Sequence, residues 1–195
     1  MELTFDQNYW DERYNTEDTG WDIGFPSTPL KTYFDQLEDK SLRILIPGAG
    51  NAYEAEYLHQ QGFTNVWVAD ISASAIQKFA ERVPTFPKEH LLHVNFFEME
   101  ESFDMMIEQT FFCALHPSER EHYVAQTAQI IKPGGKLVGL LFQIPLFEDH
   151  PPFGGNKEMY EPLFSPHFNI QVMETAHNSI EPRQGNELFI NLVRK

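Results

Sequence analysis

A glycine turn and a carboxylate twenty residues after it are the first residues whose types and spacing indicate chemistry. Gly48 and Gly50 follow the apolar run 43–47 (RILIP), and a helical stretch begins just after them. Glycines between a strand and a helix let a ligand approach the backbone closely. Asp70 ends the next apolar run, where a carboxylate can accept hydrogen bonds from both ribose hydroxyls; alternatively, it caps the following helix beside Ser72. Together these residues predict a site for a nucleoside.

The residues after the glycine turn indicate which kind of nucleoside this site suits. The dinucleotide fingerprint has a third glycine three residues on, where this chain has Tyr53. Glu54 opposes a phosphate at the start of the helix but tolerates the ammonium group of an amino-acid tail. The turn therefore favours a ligand without phosphates and disfavours an NAD-dependent oxidoreductase. A third motif, KPGGK at 132–136, precedes a strongly apolar run.

Apolar runs and helical stretches alternate along the chain and provide the elements that position these residues. The strand-like runs are 43–47, 65–70, 90–94, 103–108, 136–142, 169–174 and 187–193; the helical stretches are 52–60, one that begins at Ser72, one that runs from Ser118 to Ile131, and one around 157–164. Alternating strands and helices predict parallel units, whereas the last two strands, joined without a helix, predict an antiparallel hairpin. We therefore expect an α/β, Rossmann-like fold: a mostly parallel seven-stranded sheet with a C-terminal antiparallel hairpin and helices on both faces.

No linker, repeat or low-complexity segment divides the sequence. We expect one domain over 1–195, with an N-terminal aromatic segment at 1–30 and a Rossmann-like core at 42–195. Within the core, Ser118 is the predicted N-cap of its helix, with Glu121 at the capping-box spacing.

Composition and charge exclude several classes of partner. Lys and Arg number 14 against 29 Asp and Glu, which gives a net charge of −15. Such a field repels the phosphate backbone of nucleic acids and an anionic membrane surface. No apolar run approaches the ~20 residues that span a bilayer, and the acidic, aromatic N-terminus does not resemble a signal or transit peptide. We expect a cytoplasmic monomer or weak dimer that binds neither nucleic acid nor membrane.

The cysteine and histidine content argues against a metal site. Cys113 is the only cysteine, which excludes an internal disulfide and a multi-cysteine metal centre. The histidines lack the spacing of metal ligands, so no metal is predicted. Cys113 itself is interpreted as a small buried residue rather than a nucleophile, because no His–Asn pattern accompanies it.

A series of motifs from Trp10 onward resembles one group of class I methyltransferases. The motifs are Trp10-x-x-x-Tyr14 with Gly20-Trp21-Asp22, Thr28-Pro29-Leu30, Ile46-Pro47-Gly48-Ala49-Gly50, Ala69-Asp70-Ile71-Ser72, Phe111-Phe112-Cys113-Ala114-Leu115-His116-Pro117 with Arg120, and Lys132-Pro133-Gly134-Gly135. Through them the sequence resembles the thiopurine S-methyltransferase superfamily, near its plant halide/thiol methyltransferase branch. The resemblance implies S-adenosylmethionine as methyl donor, S-adenosylhomocysteine as its product, and a small-molecule methyl acceptor.

The resemblance also implies a set of cofactor-binding residues. The candidates are Trp10, Tyr14, Trp21, Gly48, Gly50, Glu54, Asp70, Ile71, Asn95, Phe96 and Gln109. The aromatic residues of the N-terminal segment would pack around the cofactor, while Gly48 and Asp70 would hold its amino-acid tail and ribose. Asn95 and Phe96 would flank the adenine ring. Gln109, just past the fourth strand, would line the site of methyl transfer.

At three of these positions the residue differs from the one that is common in the proteins that this sequence resembles. The plant branch has Trp where Tyr14 stands and Tyr where Gln109 stands, so its acceptor preference does not carry over. Asn95 stands where Asp is commoner, and its carbonyl oxygen can still accept a hydrogen bond from the adenine amino group.

The N-terminal segment is rich in aromatic residues that could close a cofactor site. Those residues are Phe5, Tyr9, Trp10, Tyr14, Trp21 and Phe25. Aromatic faces attract a cation such as sulfonium by ~0.5–2 kcal/mol and exclude water without offering a competing nucleophile. The segment is therefore predicted to be a lid, with residues 15–20 as its hinge. The alternative is a helix that simply packs its apolar face on the sheet.

Residues near the carboxyl end of the fourth strand should face the methyl acceptor. His116 is a candidate general base, although a histidine beside a proline is more often structural. The resemblance places Arg120 and Arg183 near the acceptor, where a guanidinium group could hold an anion. The alternative for each arginine is a surface ion pair. Gln109 completes the acceptor-side candidates.

These observations favour methyl transfer to a small soft nucleophile: a thiol, thiocyanate or a halide, or a thiopurine-like sulfur. Such acceptors ionise without much help, and His116 is the only candidate base. The first alternative is an O- or N-methyltransferase of a small metabolite, which needs a general base. The second is a module that binds the cofactor without catalysis, which a cavity plugged by side chains would mark.

Overall fold

Seven strands and six α-helices build the described part of the chain, residues 5–147 and 149–195 of a computed structural model. The strands are β1 (Ile44–Pro47), β2 (Val66–Asp70), β3 (Leu91–His93), β4 (Phe103–Gln109), β5 (Ile131–Phe142), β6 (Phe168–Thr175) and β7 (Glu187–Arg194). The helices are α1 (Gln7–Asn15), α2 (Thr28–Phe34), α3 (Tyr53–Gln60), α4 (Ala73–Arg82), α5 (Arg120–Ile130) and α6 (Lys157–Phe164). The first four residues of the predicted segment 1–30 lie outside the described residues.

The strands form one sheet in the order β3-β2-β1-β4-β5-β7-β6. Strands β1 to β5 are parallel, and β7 runs antiparallel to both β5 and β6. The chain builds outward from β1 to β3 and then returns to add β4 on the other side. This reversal leaves a crevice at the carboxyl ends of the central strands, where ligands bind in open α/β sheets. The predicted fold class is confirmed.

Apolar side chains of the central strands pack against helices on both faces of the sheet. Leu45 packs into one core together with Tyr123 of α5, whereas Ile44 and Ile46 pack into the other with Phe79 of α4. This division follows from the alternation of side chains along a strand. None of the described helices is long and apolar enough to cross a membrane.

The predicted N-cap at Ser118 is wrong. Residues Pro117–Glu119 form a 3₁₀ turn, and α5 begins after it at Arg120 without a side-chain cap. The ring of His116 caps the turn instead, since its Nδ1 accepts the backbone N–H of Ser118 at 3.3 Å. Proline suits the first position of such a turn because its backbone has no N–H to satisfy. The cap therefore lies two residues before the predicted one.

The KPGGK motif lies within β5 rather than before it. Ile131 pairs with Phe103, and Lys136 resumes the pairing opposite Met105 after an irregularity in the register. A Cβ atom on Gly135 would stand 2.7 Å from the carbonyl oxygen of Asp104, so only glycine allows this close approach. The motif therefore allows β5 to pack closely against β4 in the sheet.

Candidate active site

A cavity of about 1400 Å³ lies at the carboxyl ends of the central strands. Its lining includes all eleven candidate cofactor-binding residues, from Trp10 to Gln109. Of the acceptor-side candidates, Gln109, His116 and Arg183 also line the cavity, and Arg120 does not. The parallel strands bring these distant parts of the sequence together, because their carboxyl ends meet at one edge of the sheet.

The glycine turn after β1 forms one wall of the cavity and needs glycine at two positions. Gly48 and Gly50 have φ angles of +53° and +52°, in the region that favours glycine. A Cβ atom on Gly48 would lie 2.2 Å from the Phe111 ring, and one on Gly50 would lie 2.3 Å from the Tyr14 hydroxyl. Both aromatic side chains therefore rest directly on the turn. The sequence places Phe111 in the FFCALHP motif, but no pattern there indicates this contact.

Asp70 links the end of β2 to the glycine turn. Its Oδ2 accepts the backbone N–H of Gly50, and its Oδ1 accepts that of Ser72, both at 2.8 Å. Burial raises the pKa of the Asp70 carboxyl, while these two hydrogen bonds act in the opposite direction. Ser72 is the N-cap of α4, as predicted, and its Oγ accepts the N–H of Ala75. Each Asp70 oxygen retains a second lone pair for a ligand hydroxyl.

Glu54 ties the N-terminal segment to the core. This carboxylate is buried at the start of α3, and its Oε1 accepts the backbone N–H of Ser27 at 2.9 Å. Burial raises the pKa of Glu54. The side chain also lines the cavity, so its charge faces any ligand bound beside the glycine turn.

The aromatic residues of the N-terminal segment form a connected cluster over the cavity. The ring of Trp21 contacts the rings of Trp10 and Tyr14 edge to face, with centroids 5.6 and 6.0 Å apart. Phe5 reaches Phe153 in the same way, at 5.8 Å. Burial first, and then the charge of Asp70, raise the pKa of the Tyr14 hydroxyl, so it remains a neutral hydrogen-bonding group.

Helix α1 is held against the core by polar contacts with α4. Asp11 accepts a hydrogen bond from the Ser72 hydroxyl at 2.7 Å and from the Ser74 backbone N–H at 3.1 Å. A carboxylate at a helix N-terminus also complements the helix dipole. Lys78 donates to the carbonyl of Tyr14 from the next turns of α4. Sequence reasoning did not single out Asp11, since its partners lie about sixty positions away.

Arg183 lines the cavity with both terminal nitrogens engaged. Its Nη1 pairs with Glu187 at 3.3 Å, and its Nη2 donates to the backbone carbonyl of Trp21. The side chains of Arg183 and Glu187 are 12% and 3% exposed, so this is a buried pair rather than a surface ion pair.

Arg120 lies outside the cavity lining, in contrast to its expected place near the acceptor. It is buried, and its Nη2 donates to the carbonyls of Phe153 and Gly154 at 3.2 and 2.7 Å. Its guanidinium carbon lies 4.8 Å from the centroid of the Phe112 ring. Arg120 therefore holds the loop that follows Pro152 and does not form a surface ion pair.

His116 faces the cavity but uses one ring nitrogen to shape its own turn. Because the Ser118 N–H donates to Nδ1, this nitrogen carries the lone pair, and Nε2 carries the proton of the neutral ring. The Ser118 hydroxyl lies 2.8 Å from the same Nδ1. The only lone pair of the neutral imidazole is thus engaged within the protein.

Gln109, the last residue of β4 before a turn, lines the cavity. The Oε1 atom of Gln109 is buried and has no hydrogen-bond partner among the described residues, and the next residue, Thr110, has a φ of +57°. A buried acceptor without a partner is costly, and the residue itself lines the cavity.

A buried glutamate holds this turn from behind. Glu108 Oε1 accepts the backbone N–H groups of Phe111 and Phe112, both at 2.9 Å, and Oε2 accepts the Tyr123 hydroxyl. Burial raises the pKa of Glu108 to about 7, although these three hydrogen bonds favour its ionised form. A Cβ atom on Gly139 would lie 2.4 Å from that of Glu108, so the neighbouring strand must carry glycine here.

The remaining chemical candidates contribute no reactive centre. Cys113 is buried, and burial raises the pKa of its thiol. In the described ranges, no group of three or more His, Cys, Asp and Glu side chains is placed to hold a metal ion.

Sequence comparisons relate the chain to methyltransferases over nearly all of its length. The family model of thiopurine S-methyltransferase matches residues 5–191. The probable thiol methyltransferase 2 of Arabidopsis thaliana is 30% identical over 188 residues, or 91% of this chain and 81% of that protein. Thiocyanate methyltransferase 1 of Brassica oleracea is 28% identical over 191 residues, or 94% of this chain and 84% of that protein.

Two solved structures with the same fold are named as methyltransferases. The 1,6-didemethyltoxoflavin-N1-methyltransferase of Burkholderia thailandensis, solved with 1,6-didemethyltoxoflavin and S-adenosylhomocysteine, gives a TM-score of 0.77 at 16% identity over 97% of this chain and 86% of that one. A TehB-like SAM-dependent methyltransferase from Corynebacterium glutamicum gives a TM-score of 0.68 at 18% identity, over 96% of this chain and 97% of that one. At these identities the likeness concerns the fold alone.

The sheet order and the cavity at its carboxyl edge define a class I methyltransferase. Since its family model covers residues 5–191, the chain belongs to the thiopurine S-methyltransferase family. These findings confirm the predictions of this family and of an S-adenosylmethionine-dependent methyltransferase.

Proposed function

We propose that the cavity binds S-adenosylmethionine and that the enzyme methylates the sulfur atom of small thiols. When bound, S-adenosylmethionine supplies an electrophilic methyl group: the acceptor sulfur gains an S–CH₃ bond, the methyl–sulfonium bond of the cofactor breaks, and the thiol proton passes to water. The observation that carries the acceptor class is the similarity to proteins named as thiol and thiocyanate methyltransferases, at 30% and 28% identity. The engaged lone pair of His116 fits an acceptor that ionises by itself. Thiols do so near neutral pH far more readily than alcohols or phenols.

The residues around the glycine turn fit this cofactor. Gly48 and Gly50 allow close approach of its amino-acid tail, and Glu54 supplies a negative charge for the ammonium group. The free lone pairs of Asp70 accept the ribose hydroxyls. Ile71 lines the cavity directly after Asp70 and packs against the nucleoside.

Two further groups of residues complete the proposed cofactor site. Asn95 and Phe96 flank the adenine ring from the segment that follows β3. The faces of Trp10, Tyr14 and Trp21 surround the positive charge, an interaction worth ~0.5–2 kcal/mol for each aromatic ring. Gln109 lines the cavity at the end of β4, and in this proposal it lies where the acceptor meets the methyl group.

Exclusion of water is the main contribution of the N-terminal segment to the proposed chemistry. A thiolate and a sulfonium cation annihilate charge as they react, so water stabilises the separated reactants more than the transition state. The Trp10–Tyr14–Trp21 cluster covers the cavity with apolar rings that do not compete as nucleophiles. Alignment of the two reactants within the cavity contributes the rest of the rate acceleration.

The alternatives are less well supported. An O- or N-methyltransferase lacks support from the relatives, which are named as thiol and thiocyanate methyltransferases, and His116, the candidate base, offers an N–H rather than a lone pair when its ring is neutral. A non-catalytic binding module is disfavoured because the cavity, at about 1400 Å³, is open rather than plugged by side chains. Cytoplasmic location and a monomeric or weakly dimeric state remain part of the proposal, to be tested by fractionation and sedimentation.

Initial rates with a thiol, a phenol and an amine of similar size test the proposed acceptor class. We expect turnover with the thiol and little with the others. The dependence of kcat/KM on pH should follow the pKa of the acceptor thiol, and should be the same in His116→Asn, whose side chain can still accept the Ser118 N–H. Turnover of only hydroxyl or amine compounds would contradict the proposal, as would a pH profile that changes with His116.

A further inference from the structure

The charged residues that line the cavity are mostly acidic. The carboxylates are those of Asp6, Asp18, Asp22, Glu54, Asp70, Glu119 and Asp149; the cationic side chains in the described lining are those of Arg13 and Arg183. No described lysine lines the cavity. The chain as a whole adds to this field with its net charge of −15. The cavity is therefore a region of negative potential.

Both arginines of the described lining are paired with carboxylates. Arg13 pairs with Asp18 at 2.8 Å and donates its other terminal nitrogen to the Tyr9 hydroxyl, also at 2.8 Å. Arg183 is likewise engaged by Glu187 and the Trp21 carbonyl. The two cations in the described lining are thus already neutralised by partners within the protein.

Apolar residues make up part of the uncharged lining: Phe142, Ile144, Pro151, Pro152 and Pro182. The single net positive charge of S-adenosylmethionine does not offset the surplus of carboxylates.

We propose that the acceptor is a thiol whose other substituents are uncharged or cationic, such as an aminothiol, rather than thiocyanate, a halide or a carboxylate-bearing thiol. This inference rests on the proposed sulfur methylation and specifies its substrate class. An aminothiolate is a zwitterion without net charge, and its ammonium group is attracted by the surrounding carboxylates. A carboxylated thiolate carries two negative charges into the same field. The inference separates this chain from the thiocyanate methyltransferase of Brassica oleracea at 28% identity.

The experiment compares three thiols of similar size: 2-aminoethanethiol, 2-hydroxyethanethiol and 3-mercaptopropionate, with thiocyanate and iodide as inorganic anions. The measured quantity is kcat/KM per mole of thiolate or anion. We expect the aminothiol and the hydroxythiol to exceed the carboxylated thiol and both inorganic anions by about tenfold or more. Raising the ionic strength with sodium sulfate should narrow this difference, because salt screens charge interactions.

A pair of variants separates the local field of the cavity from the total charge of the protein. Glu119→Gln/Asp149→Asn removes two exposed carboxylates from the lining, and Glu38→Gln/Glu174→Gln removes two exposed carboxylates outside it. The first variant should raise kcat/KM for 3-mercaptopropionate relative to 2-aminoethanethiol by about threefold. The second, with the same net charge, should leave this ratio close to that of the unmodified protein.

The outcomes distinguish this inference from the proposed function. Equal kcat/KM for the three thiolates, or faster turnover of thiocyanate, iodide or the carboxylated thiol, would overturn the inference while sulfur methylation stands. Turnover of none of the thiols would remove the proposed function and this inference with it. The ratio of kcat/KM for 3-mercaptopropionate to that for 2-aminoethanethiol is also compared between the two variants. A change in the Glu38/Glu174 variant as large as that in the Glu119/Asp149 variant would also contradict a local effect of the cavity.

Discussion

Arg183 donates a hydrogen bond to the backbone carbonyl of Trp21, 162 positions earlier in the chain. The same guanidinium pairs with Glu187 at the start of β7, so one side chain joins the N-terminal segment to the antiparallel part of the sheet. The ring of Trp21 in turn contacts Trp10 and Tyr14 over the cavity. Arg183 thereby joins the residues that cover the cavity to the core.

The first prediction concerns this link. Arg183→Met should lower the free energy of unfolding by ~3 kcal/mol, because it leaves Glu187 buried without its cationic partner. It should also weaken S-adenosylhomocysteine binding. Chemical denaturation and calorimetry measure the two effects. The double variant Arg183→Met/Glu187→Met should regain most of the stability but not the affinity; recovery of both would show that Arg183 acts on the core alone.

The second prediction concerns the N-terminal segment as a lid. Backbone amides of Tyr9–Trp21 should exchange quickly without ligand and slowly with S-adenosylhomocysteine, since the aromatic cluster then has a ligand to close on. Hydrogen exchange read out by mass spectrometry gives this difference directly. The strands β1 and β4 serve as internal controls. Equal protection with and without ligand would mean that the segment is part of the permanent core.

The third prediction concerns Asp70 as the ribose-binding residue. Asp70→Asn should weaken S-adenosylhomocysteine binding by ~1.5–3 kcal/mol, the usual contribution of hydrogen bonds to a charged group. The Asn side chain retains one oxygen for the Gly50 or the Ser72 N–H, so much of the turn is preserved. Calorimetry measures the affinity, and thermal unfolding without ligand serves as the control for the turn. An unchanged affinity would place the ribose contact on another residue.

The fourth prediction concerns the buried carboxyl of Glu108. Its folded-state pKa, about 7, lies above its ordinary value of 4.5, so the folded protein binds this proton more tightly than the unfolded chain. Its contribution to stability is therefore greatest at low pH and is lost as the pH rises from about 4.5 to about 7. The Glu108→Gln variant lacks this loss. The difference between its free energy of unfolding and that of the unmodified protein should therefore rise from about pH 4.5 to about pH 7, by ~3 kcal/mol at most.

Urea denaturation at a series of pH values tests this dependence on Glu108. The exposed Glu38→Gln change is the control and should show a difference that is independent of pH. Tyr123→Phe removes one hydrogen bond to the ionised carboxylate and should therefore extend the loss of stability to higher pH. A difference between Glu108→Gln and the unmodified protein that stays constant from pH 4.5 to pH 7 would contradict the raised pKa.

The sequence by itself determined the order of the elements and the location of the site. The alternation of apolar runs with helical stretches predicted the parallel sheet, and the last two runs without a helix between them predicted the antiparallel hairpin. The glycine turn and Asp70 could be recognised because their roles depend on backbone geometry at strand ends, which is a local property. Ser72 as a helix cap is local in the same sense.

Only the tertiary structure decided what the charged side chains do. Arg120 and Arg183 looked equivalent in the sequence, yet one holds the carbonyls of Phe153 and Gly154 and the other lines the cavity. The charge of Glu108 and the engaged lone pair of His116 likewise depend on which groups surround them. A side chain's partners come from strands and loops far away in the chain, and its pKa depends on burial that only packing creates. Such contacts leave no periodic pattern in the sequence, so the chemistry of the acceptor region became visible only in the folded chain.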